Sequence, residues 1–411
     1  MRLITILCIL SCCFSLSLIA RSEPIAIYVS PAGNDIWAGT SIDRPFATIQ
    51  RARDKIRTLK SNGVLNTPVT VYIRGGEYRL SEPLIFNHED SGGESSRINY
   101  TAYKGEEPIF ITDKQDNGLL INQMVKFEGD PETGKYVEYI GIIGITFSGT
   151  KSSAAEEKSS VEARLLSQSG ISLYYVRHFI FKNNIIRSIN FPAVHIIGSD
   201  NKIIGNHISD ISGGGICVQG NDFIISKNTI HDIYYAESEK PGWGICLDSA
   251  SSNSIVENNI IARTGVGIHL RENNKDISIR NNIVVHTERS LVKLTNPKTQ
   301  AHENIEIVKN IFYYNKLDVD LFYLTGNRSL PGISDNNVFW NSAGCIWLNP
   351  VIWGVGQVAY LKDWQALGFD QHSAVKDPLF EDLEHDDYSL KPGSPALKLG
   401  FKQIDSGHIH D

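Results

Sequence analysis

Short apolar runs alternate with asparagines along the middle of the chain, and one local pattern returns seven times. In each unit an asparagine stands directly before a short run of β-branched or aromatic residues, as in FKNNII, IVKNIF and SDNNVF. The seven recurring asparagines are Asn184, Asn206, Asn228, Asn259, Asn282, Asn310 and Asn337. Subtracting their numbers gives steps of 22, 22, 31, 23, 28 and 27 residues. A period in the low twenties with occasional longer steps indicates a solenoid whose coils carry loop insertions.

The rungs of this solenoid are predicted to be strands, because each unit combines a short β-branched run with glycine and asparagine. An asparagine at the same place in every coil can hydrogen-bond to the coils above and below it and so close the turn of each coil. The pattern therefore predicts an all-β chain of stacked coils joined by an asparagine ladder.

The residues that flank the repeats predict two caps. Thr48 precedes a helical pattern in which Ile49, Ala52 and Ile56 share one face. The end of a solenoid is an open sheet edge, and this helix can cover it. A turn-rich tail after a short helical segment would cover the last coil at the other end.

These patterns divide the chain into four parts. We predict an N-terminal cap with the first coils at residues 23–112, coils at 113–340, and a C-terminal coil and cap at 341–411. Residues 113–138 are polar and irregular, and they read as an insertion or loop. The fourth part is residues 1–22, where Arg2 precedes an almost unbroken apolar run that ends in small residues. That run predicts a secretory signal peptide and hence a secreted or periplasmic protein.

The leader also leaves an alternative open. The sequence LSCC loosely resembles a lipobox, so anchoring as a lipoprotein through Cys12 or Cys13 is the second reading. Beyond the leader, no segment is long and apolar enough to cross a membrane. Three cysteines remain there, an odd number, so no obligatory disulfide framework is predicted. The formal net charge of −7 over 411 residues argues against a nucleic-acid partner, which favours a basic face.

Several stretches resemble a known family. YVSPAGND, RPFATIQRARDKIR and VTVYIRGGEYRLSEPLIF, together with DPLFEDLEHDDYSLKPGSPALKLG near the carboxy terminus, resemble signatures of secreted right-handed parallel β-helix proteins of the pectate-lyase-like superfamily. The chain is most similar to the β-helical glycoside hydrolases that include α-L-fucosidases and xylanases. The resemblance implies a right-handed parallel β-helix with an N-terminal helix-containing cap. Its implication for the reaction is weaker, because the fold also hosts lyases, esterases, epimerases and non-enzymes.

The Gly-Ile strands can be aligned coil by coil, which predicts where each side chain points. In AVHII, GICVQ, GICLD, GIHLR and LVKLT, strand alternation turns two positions inward and the positions between and after them outward. One outward column would hold His195, Cys217, Cys246, His269 and Lys293. The neighbouring column would hold Ile197, Gln219, Asp248, Arg271 and Thr295. Adjacent coils lie about 4.8 Å apart, so Asp248 and Arg271 would be neighbours.

A second polar set stands four residues after the ladder asparagines, where Asp210 and Asp232 occupy equivalent positions in successive coils. The longest coil then carries aromatic residues directly before the strand of Asp248. Aromatic rings stack on pyranose rings and carboxylates supply acid, base or nucleophile, so this combination is typical of a sugar site. The candidate catalytic residues are Asp248, Asp232 and Asp210, with Asp248 paired to one of the other two. The candidate substrate-binding residues are Arg271, His269, Lys293, Gln219, His195, Tyr234, Tyr235 and Trp243.

Each assignment has a structural alternative. Asp210 and Asp232 can simply cap turns, and Asp248 with Arg271 can form a surface ion pair of little energetic value. The aromatic residues can pack their loop onto the coil. The cysteines and histidines of the first outward column mimic a metal set, but four stacked rungs span roughly 14 Å, so no metal site is predicted.

Three functions remain open at this point. The leading hypothesis is a secreted glycoside hydrolase that acts on a complex polysaccharide with paired carboxylates. The second is a polysaccharide lyase on a uronate polymer, in which Arg271 or Lys293 is the base and acidic residues hold Ca²⁺. The third is a non-catalytic glycan-binding or surface protein. Apart from Ca²⁺ in the lyase case we expect no cofactor, and we expect a monomer whose partner is a polysaccharide or oligosaccharide.

Overall fold

The computed structural model describes residues 23–112, 123–149, 169–190, 192–234, 242–296, 301–326, 330–346, 348 and 360–404. The predicted signal peptide, with Cys12 and Cys13, lies outside the described residues, and so does Tyr235. Within the described ranges most of the chain is strand. The helices there are α1 (Ile49–Ser61), α2 (Leu361–Ala366) and α3 (Pro395–Lys398), with 3-10 turns at His88–Asp90 and Leu383–His385.

The strands are numbered in chain order. The first ten are β1 (Ile25–Val29), β2 (Val69–Ile73), β3 (Gly76–Leu80), β4 (Leu84–Asn87), β5 (Ile98–Ala102), β6 (Pro108–Thr112), β7 (Val125–Glu128), β8 (Val137–Glu138), β9 (Ile140–Ile143) and β10 (Thr146–Ser148). The next are β11 (Ile171–Arg177), β12 (Ile180–Lys182), β13 (Ile185–Asn190), β14 (Val194–Ser199), β15 (Lys202–Ile204), β16 (His207–Ser212), β17 (Gly214–Asn221), β18 (Ile224–Ser226), β19 (Thr229–Tyr234), β20 (Trp243–Glu257), β21 (Ile260–Thr264) and β22 (Val266–Arg271). The last are β23 (Lys275–Arg280), β24 (Ile283–Val285), β25 (Ser290–Asn296), β26 (Glu303–Val308), β27 (Ile311–Tyr314), β28 (Asp320–Gly326), β29 (Ile333–Asp335), β30 (Val338–Asn341), β31 (Ala374–Val375), β32 (Phe380–Asp382) and β33 (Asp387–Leu390).

These strands stack into three faces of parallel strands. The first face contains β4, β7, β11, β14, β17, the beginning of β20, β22, β25 and β28. The second contains β1, β2, β5, β9, β12, β15, β18, the end of β20, β23, β26 and β29. The third contains β3, β6, β10, β13, β16, β19, β21, β24, β27, β30 and β31. Each regular coil gives one strand to each face, so the predicted parallel β-helix is confirmed.

The inward side chains of the three faces meet inside the coils and form one continuous apolar core. On the first face Ile216, Ile245 and Ile268 stack in register and are fully buried. Burying a side chain of this size contributes roughly 1.5–3 kcal/mol, and the stack repeats it at every coil. Because alternate residues of a strand point inward, the register of the core also fixes which residues of the first face point outward.

The asparagine ladder is confirmed, and it occupies the turn between the second and third faces. All seven side chains are at most 1% exposed. The Nδ2 of each of the first six donates to the Oδ1 of the next asparagine at 2.9–3.2 Å. The residue before each ladder asparagine has a left-handed backbone, which turns the chain sharply between two strands. These residues are Asn183, Gly205, Lys227, Asn258, Asn281, Lys309 and Asn336.

Both ends of the core are covered by helices. At the amino-terminal end Thr48 caps α1, and Ile49, Ala52 and Ile56 are buried against the first coils as predicted. At the other end α2 places Trp364 in the core with no exposed surface. Asp370 then ends the ladder, because its carboxylate accepts hydrogen bonds from Asn337 Nδ2 at 2.9 Å and Trp364 Nε1 at 2.8 Å.

Two predictions about the flanking segments need correction. The described part of residues 113–138 is not only loop, because β7 and β8 lie within it and pair with neighbouring coils. The described part of the turn-rich tail does not lie over the open end of the last coil. It packs along the outer side of the third face, where Phe380 and Tyr388 join an apolar cluster with outward residues of several coils. The cause is that the outward positions of those coils are apolar and need a cover, whereas α2 already closes the end.

Candidate functional site

The first face carries the two outward columns in the predicted register. His195, Cys217, Cys246, His269 and Lys293 are partners on successive strands from β14 to β25. The neighbouring column continues through Gln219 and Asp248, while Arg271 follows one coil later beside Thr295. These side chains are more buried than the outward side chains of a surface strand usually are. His195 is only 3% exposed and Cys246 is fully buried, although both point away from the core.

Asp248 stands near the end of the first face and is held by three groups. Arg271 Nη1 donates to its Oδ2 at 3.2 Å, and the Ser249 backbone N–H donates to its Oδ1 at 2.8 Å. The Ser249 hydroxyl lies 3.3 Å from the same Oδ1. The Asp248 side chain is 19% exposed, so solvent or a ligand can still reach the carboxylate. The combination gives a fixed and accessible carboxylate on a rigid strand.

A second carboxylate at this place was missed by the sequence interpretation. Glu272 follows Arg271 at the turn that ends β22, and its φ of 50° places it in the left-handed region. The Ser249 hydroxyl lies 3.4 Å from Glu272 Oε2. The nearest oxygens of Asp248 and Glu272 are therefore no farther apart than those two hydroxyl distances combined. This is within the upper limit of about 9.5 Å for the paired carboxyl groups that cleave glycosidic bonds.

The coils on one side of this pair carry two basic groups whose pKa is lowered, Lys293 and His269. Burial lowers the pKa of Lys293, and the nearby charges of Arg271 and Arg289 lower it further. Burial also holds the pKa of His269 well below its ordinary value, with Lys293 and Arg271 adding to the effect. The Lys293 ammonium lies over the Tyr323 ring at 5.0 Å. Both basic groups can therefore lose a proton more readily than they would in water.

The remaining predicted binding residues of this face lie at different depths. Gln219 is half-buried and pairs in register with Asp248. His195 Nδ1 lies 3.3 Å from the Tyr174 hydroxyl. Trp243 stands at the corner before the first face, and its indole lies directly over Gly214, where a Cβ would clash at 2.5 Å. The Trp243 Nε1 is buried without a hydrogen-bond partner among the described residues.

Asp210 and Asp232 are placed elsewhere, in one column at a left-handed turn of the third face. Asp232 accepts from Arg263 Nε at 2.7 Å and lies 2.6 Å from His231 Nδ1. Arg263 also donates to Asp386 of the tail at 2.6 Å. Asp232 is thus part of a cluster that fastens the tail to the third face.

The environment of Asp232 agrees with a structural role. Burial would raise the pKa of Asp232, but hydrogen bonds from His231 and Arg263 outweigh it and hold the pKa below its usual range. Tyr234 lies nearby and is 52% exposed, and burial together with Asp232 raises its pKa to about 12. Asp210 accepts a hydrogen bond from Ser188 Oγ at 2.9 Å.

The predicted pairing of Asp248 with Asp232 or Asp210 therefore needs correction. Asp248 lies on the first face and the other two lie on the third, with a corner between them. Asp248 is about 16 Å along β20 from Trp243, the first residue of that strand, and Asp232 lies on the other side of the corner that precedes Trp243. Carboxyl groups that cooperate in glycoside cleavage are closer than about 9.5 Å. Asp248 has its carboxylate neighbour in Glu272 instead.

Replacing Asp232 by asparagine is expected to destabilise the fold by about 1–2 kcal/mol at pH 7, because Arg263 and His231 lose their anionic partner. The pKa of Asp232 is lower in the folded chain, so its contribution is fully present above the unfolded pKa of about 3.9 and is lost as pH falls below it. Urea unfolding between pH 7 and 3 would show the difference shrink. Asp43→Asn, at an exposed position, should show no difference at either pH.

The described residues were also compared with the requirements of a metal site and of a membrane-spanning helix. Among the described residues no group of three or more His, Cys, Asp or Glu side chains is arranged to bind a metal ion. In the same ranges none of the helices is both long and apolar enough to span a membrane.

Comparison with known proteins agrees with this architecture. A family model described as a right handed beta helix region matches residues 169–350. The Uncharacterized protein YwoF of Bacillus subtilis (strain 168) is 24% identical over 472 aligned residues, covering 90% of this chain and 92% of that protein. A solved structure described as a glycoside hydrolase has a TM-score of 0.57 at 11% identity and covers 76% of this chain and 93% of its own. The structure of XylC with xylose has a TM-score of 0.46 at 12% identity, covering 86% and 87%. At 11% identity the likeness to the glycoside hydrolase structure concerns the fold alone.

Proposed function

We propose that this chain, which has the right-handed parallel β-helix fold, is a carbohydrate-active enzyme that hydrolyses a polysaccharide bound across its first face. The observation that carries the proposal is the juxtaposition of Asp248 and Glu272 around the Ser249 hydroxyl. Most glycoside hydrolases use two carboxyl groups that flank the scissile bond, and Asp248 and Glu272 lie on the two sides of one hydroxyl. The solved glycoside hydrolase with the same fold supports the proposal by analogy of architecture only.

In this proposal the two carboxyl groups have different tasks. Asp248 is fixed by Arg271 and the Ser249 amide, which suits a nucleophile or a base that must keep its direction. Glu272 stands at the turn that ends β22, across the Ser249 hydroxyl from Asp248, and it would act as the acid that protonates the leaving oxygen. Gln219 pairs in register with Asp248 and would bind sugar hydroxyls, and Trp243, at the corner before the first face, would bind a ring face.

A specific observation favours a second candidate function, elimination on a uronate polymer. Arg271, Arg289 and Lys293 gather positive charge on neighbouring coils of a chain whose formal net charge is −7. Such a strip would attract a carboxylate-bearing sugar. Because the pKa of Lys293 is lowered, its neutral amine could remove the C5 proton of a uronate residue. Of the two candidate functions, only elimination would use Ca²⁺, which acidic residues would hold.

One assay separates the candidates. The protein would be incubated with neutral and uronate-containing polysaccharides, and each digest measured for new reducing ends and for ultraviolet-absorbing unsaturated products. We expect reducing ends without unsaturated products on at least one polysaccharide. Unsaturated products would favour elimination instead. Retention of a glycan on an affinity gel without either product would indicate a binding protein and contradict both enzymatic proposals.

The cellular setting is part of the same proposal. The leader pattern at residues 1–22 supports export, so the polysaccharide would be met outside the cytoplasm. We also propose that the protein acts as a monomer and has no nucleic-acid partner, since the net charge is negative. Size-exclusion chromatography coupled to light scattering would test the first of these two statements.

A further inference from the structure

Two cysteines face each other in the floor of the first face. Cys217 on β17 and Cys246 on β20 are direct Cα partners in a parallel register. Both side chains belong to the outward column, so both point to the same side of the sheet. Cys217 is 6% exposed and Cys246 is fully buried. Neighbouring strands in register are about 4.8 Å apart, and disulfides form between residues whose Cα atoms lie about 4.4–6.8 Å apart.

The two sulfur atoms already interact as thiols. A hydrogen bond with Cys246 lowers the pKa of Cys217, and the adjacent His195 lowers it further against the opposing effect of burial. The same hydrogen bond and burial raise the pKa of Cys246. Cys217 is therefore the sulfur that becomes a thiolate first, and only a thiolate attacks a disulfide.

From this geometry we infer that Cys217 and Cys246 form a disulfide that joins two successive coils directly beside Asp248. The oxidant is a disulfide of the glutathione or dithiol-oxidoreductase class. The Cys217 thiolate attacks one sulfur of that disulfide and forms a mixed disulfide, releasing one thiolate. Cys246 then loses its proton and attacks the Cys217 sulfur, and the second thiolate leaves. Two protein thiols are oxidised and one external disulfide is reduced to two thiols.

The cross-link would close a loop that contains the whole coil between the two cysteines, including the segment that leads to Trp243. Restricting that loop removes conformations from the unfolded chain, so the oxidised protein is expected to be more stable than the reduced protein. The bond would also hold the strands of Gln219 and Asp248 at a fixed separation, because each of these residues lies two positions beyond one of the cysteines.

The experiment counts thiols in the full chain. The protein is unfolded in urea, refolded in oxidised or in reduced glutathione, and alkylated with N-ethylmaleimide under denaturing conditions. Intact mass should show two fewer alkylated cysteines after oxidised refolding, and peptide mapping should join the peptides of Cys217 and Cys246. The oxidised form should melt several degrees above the reduced form. Refolding from urea removes the limit that burial places on access to the thiols.

Cys345 supplies the matched control because it is an exposed free cysteine of the same chain. Cys345→Ser should leave the cross-link and its melting shift unchanged, whereas Cys217→Ser and Cys246→Ser should each abolish both. Alkylation of both Cys217 and Cys246 after oxidised refolding would overturn the inference, as would a disulfide that joins either of them to Cys345. Neither outcome depends on catalysis, so the result stands apart from the glycan assay.

Discussion

Replacing Asn259 by alanine is expected to lower the free energy of unfolding by about 3–4 kcal/mol, because it removes a buried junction between three coils. The Asn259 Nδ2 donates to the Ile225 carbonyl at 2.9 Å and to Asn282 Oδ1 at 3.0 Å. Its Oδ1 accepts the backbone N–H of Asn228 at 3.0 Å and the Asn228 amide at 2.9 Å. Alanine satisfies none of these groups, and water cannot reach them, since Asn259 is fully buried. Urea unfolding followed by far-ultraviolet circular dichroism measures the loss.

The control for this change is Asn62→Ala, at an exposed asparagine that follows α1. It removes the same side chain without opening a buried junction, so its unfolding midpoint should match that of the unchanged protein. A midpoint for Asn259→Ala within experimental error of the control would show that the ladder contributes no net stability. The ladder would then be a consequence of the fold and not one of its causes.

The ladder and the register of the first face were predictable from the sequence for a physical reason. A solenoid repeats one local environment, so residues such as Asn228 and Asn259 return at a recognisable interval. Strand alternation then decides the direction of each neighbour, which places Cys246 and Asp248 outward once Ile245 is inward. Contacts between adjacent coils follow from a repeat because its units are stacked in order.

Contacts made by turns, by the tail or between different faces could not be predicted in the same way, because the repeat does not determine them. Glu272 approaches Ser249 only because the turn after Arg271 has a left-handed residue, and the strand pattern says nothing about that turn. Asp232 occupies a column, as predicted, but the column belongs to the third face, and the tail residue Asp386 is brought to Arg263 from far along the chain. Asp232 and Asp248 stand on different faces, on β19 and β20, and spacing in sequence could not show where the chain turns from one face to the other.

Replacing Asp248 by asparagine is expected to reduce hydrolysis of the active polysaccharide by about 10²–10⁴-fold, the usual range for loss of a catalytic acid or base. Asparagine has nearly the same shape but cannot act as a base or a carboxylate nucleophile. The ion pair with Arg271 is partly exposed, at 19% and 26% of the two side chains, so its loss should cost little stability, about 1 kcal/mol or less. Initial rates of reducing-end release, at matched folded protein, measure the effect.

The decisive comparison is between the carboxylates of the two faces. Glu272→Gln should show a loss of similar order to Asp248→Asn, because both groups act on the same bond. Asp232 is about as enclosed as Asp248, at 24% exposure, yet it lies on the third face and holds the tail. Asp232→Asn should therefore lower stability while the folded protein keeps its turnover. If Asp248→Asn retained turnover and Asp232→Asn lost it at equal folded concentration, the catalytic site would belong to the third face.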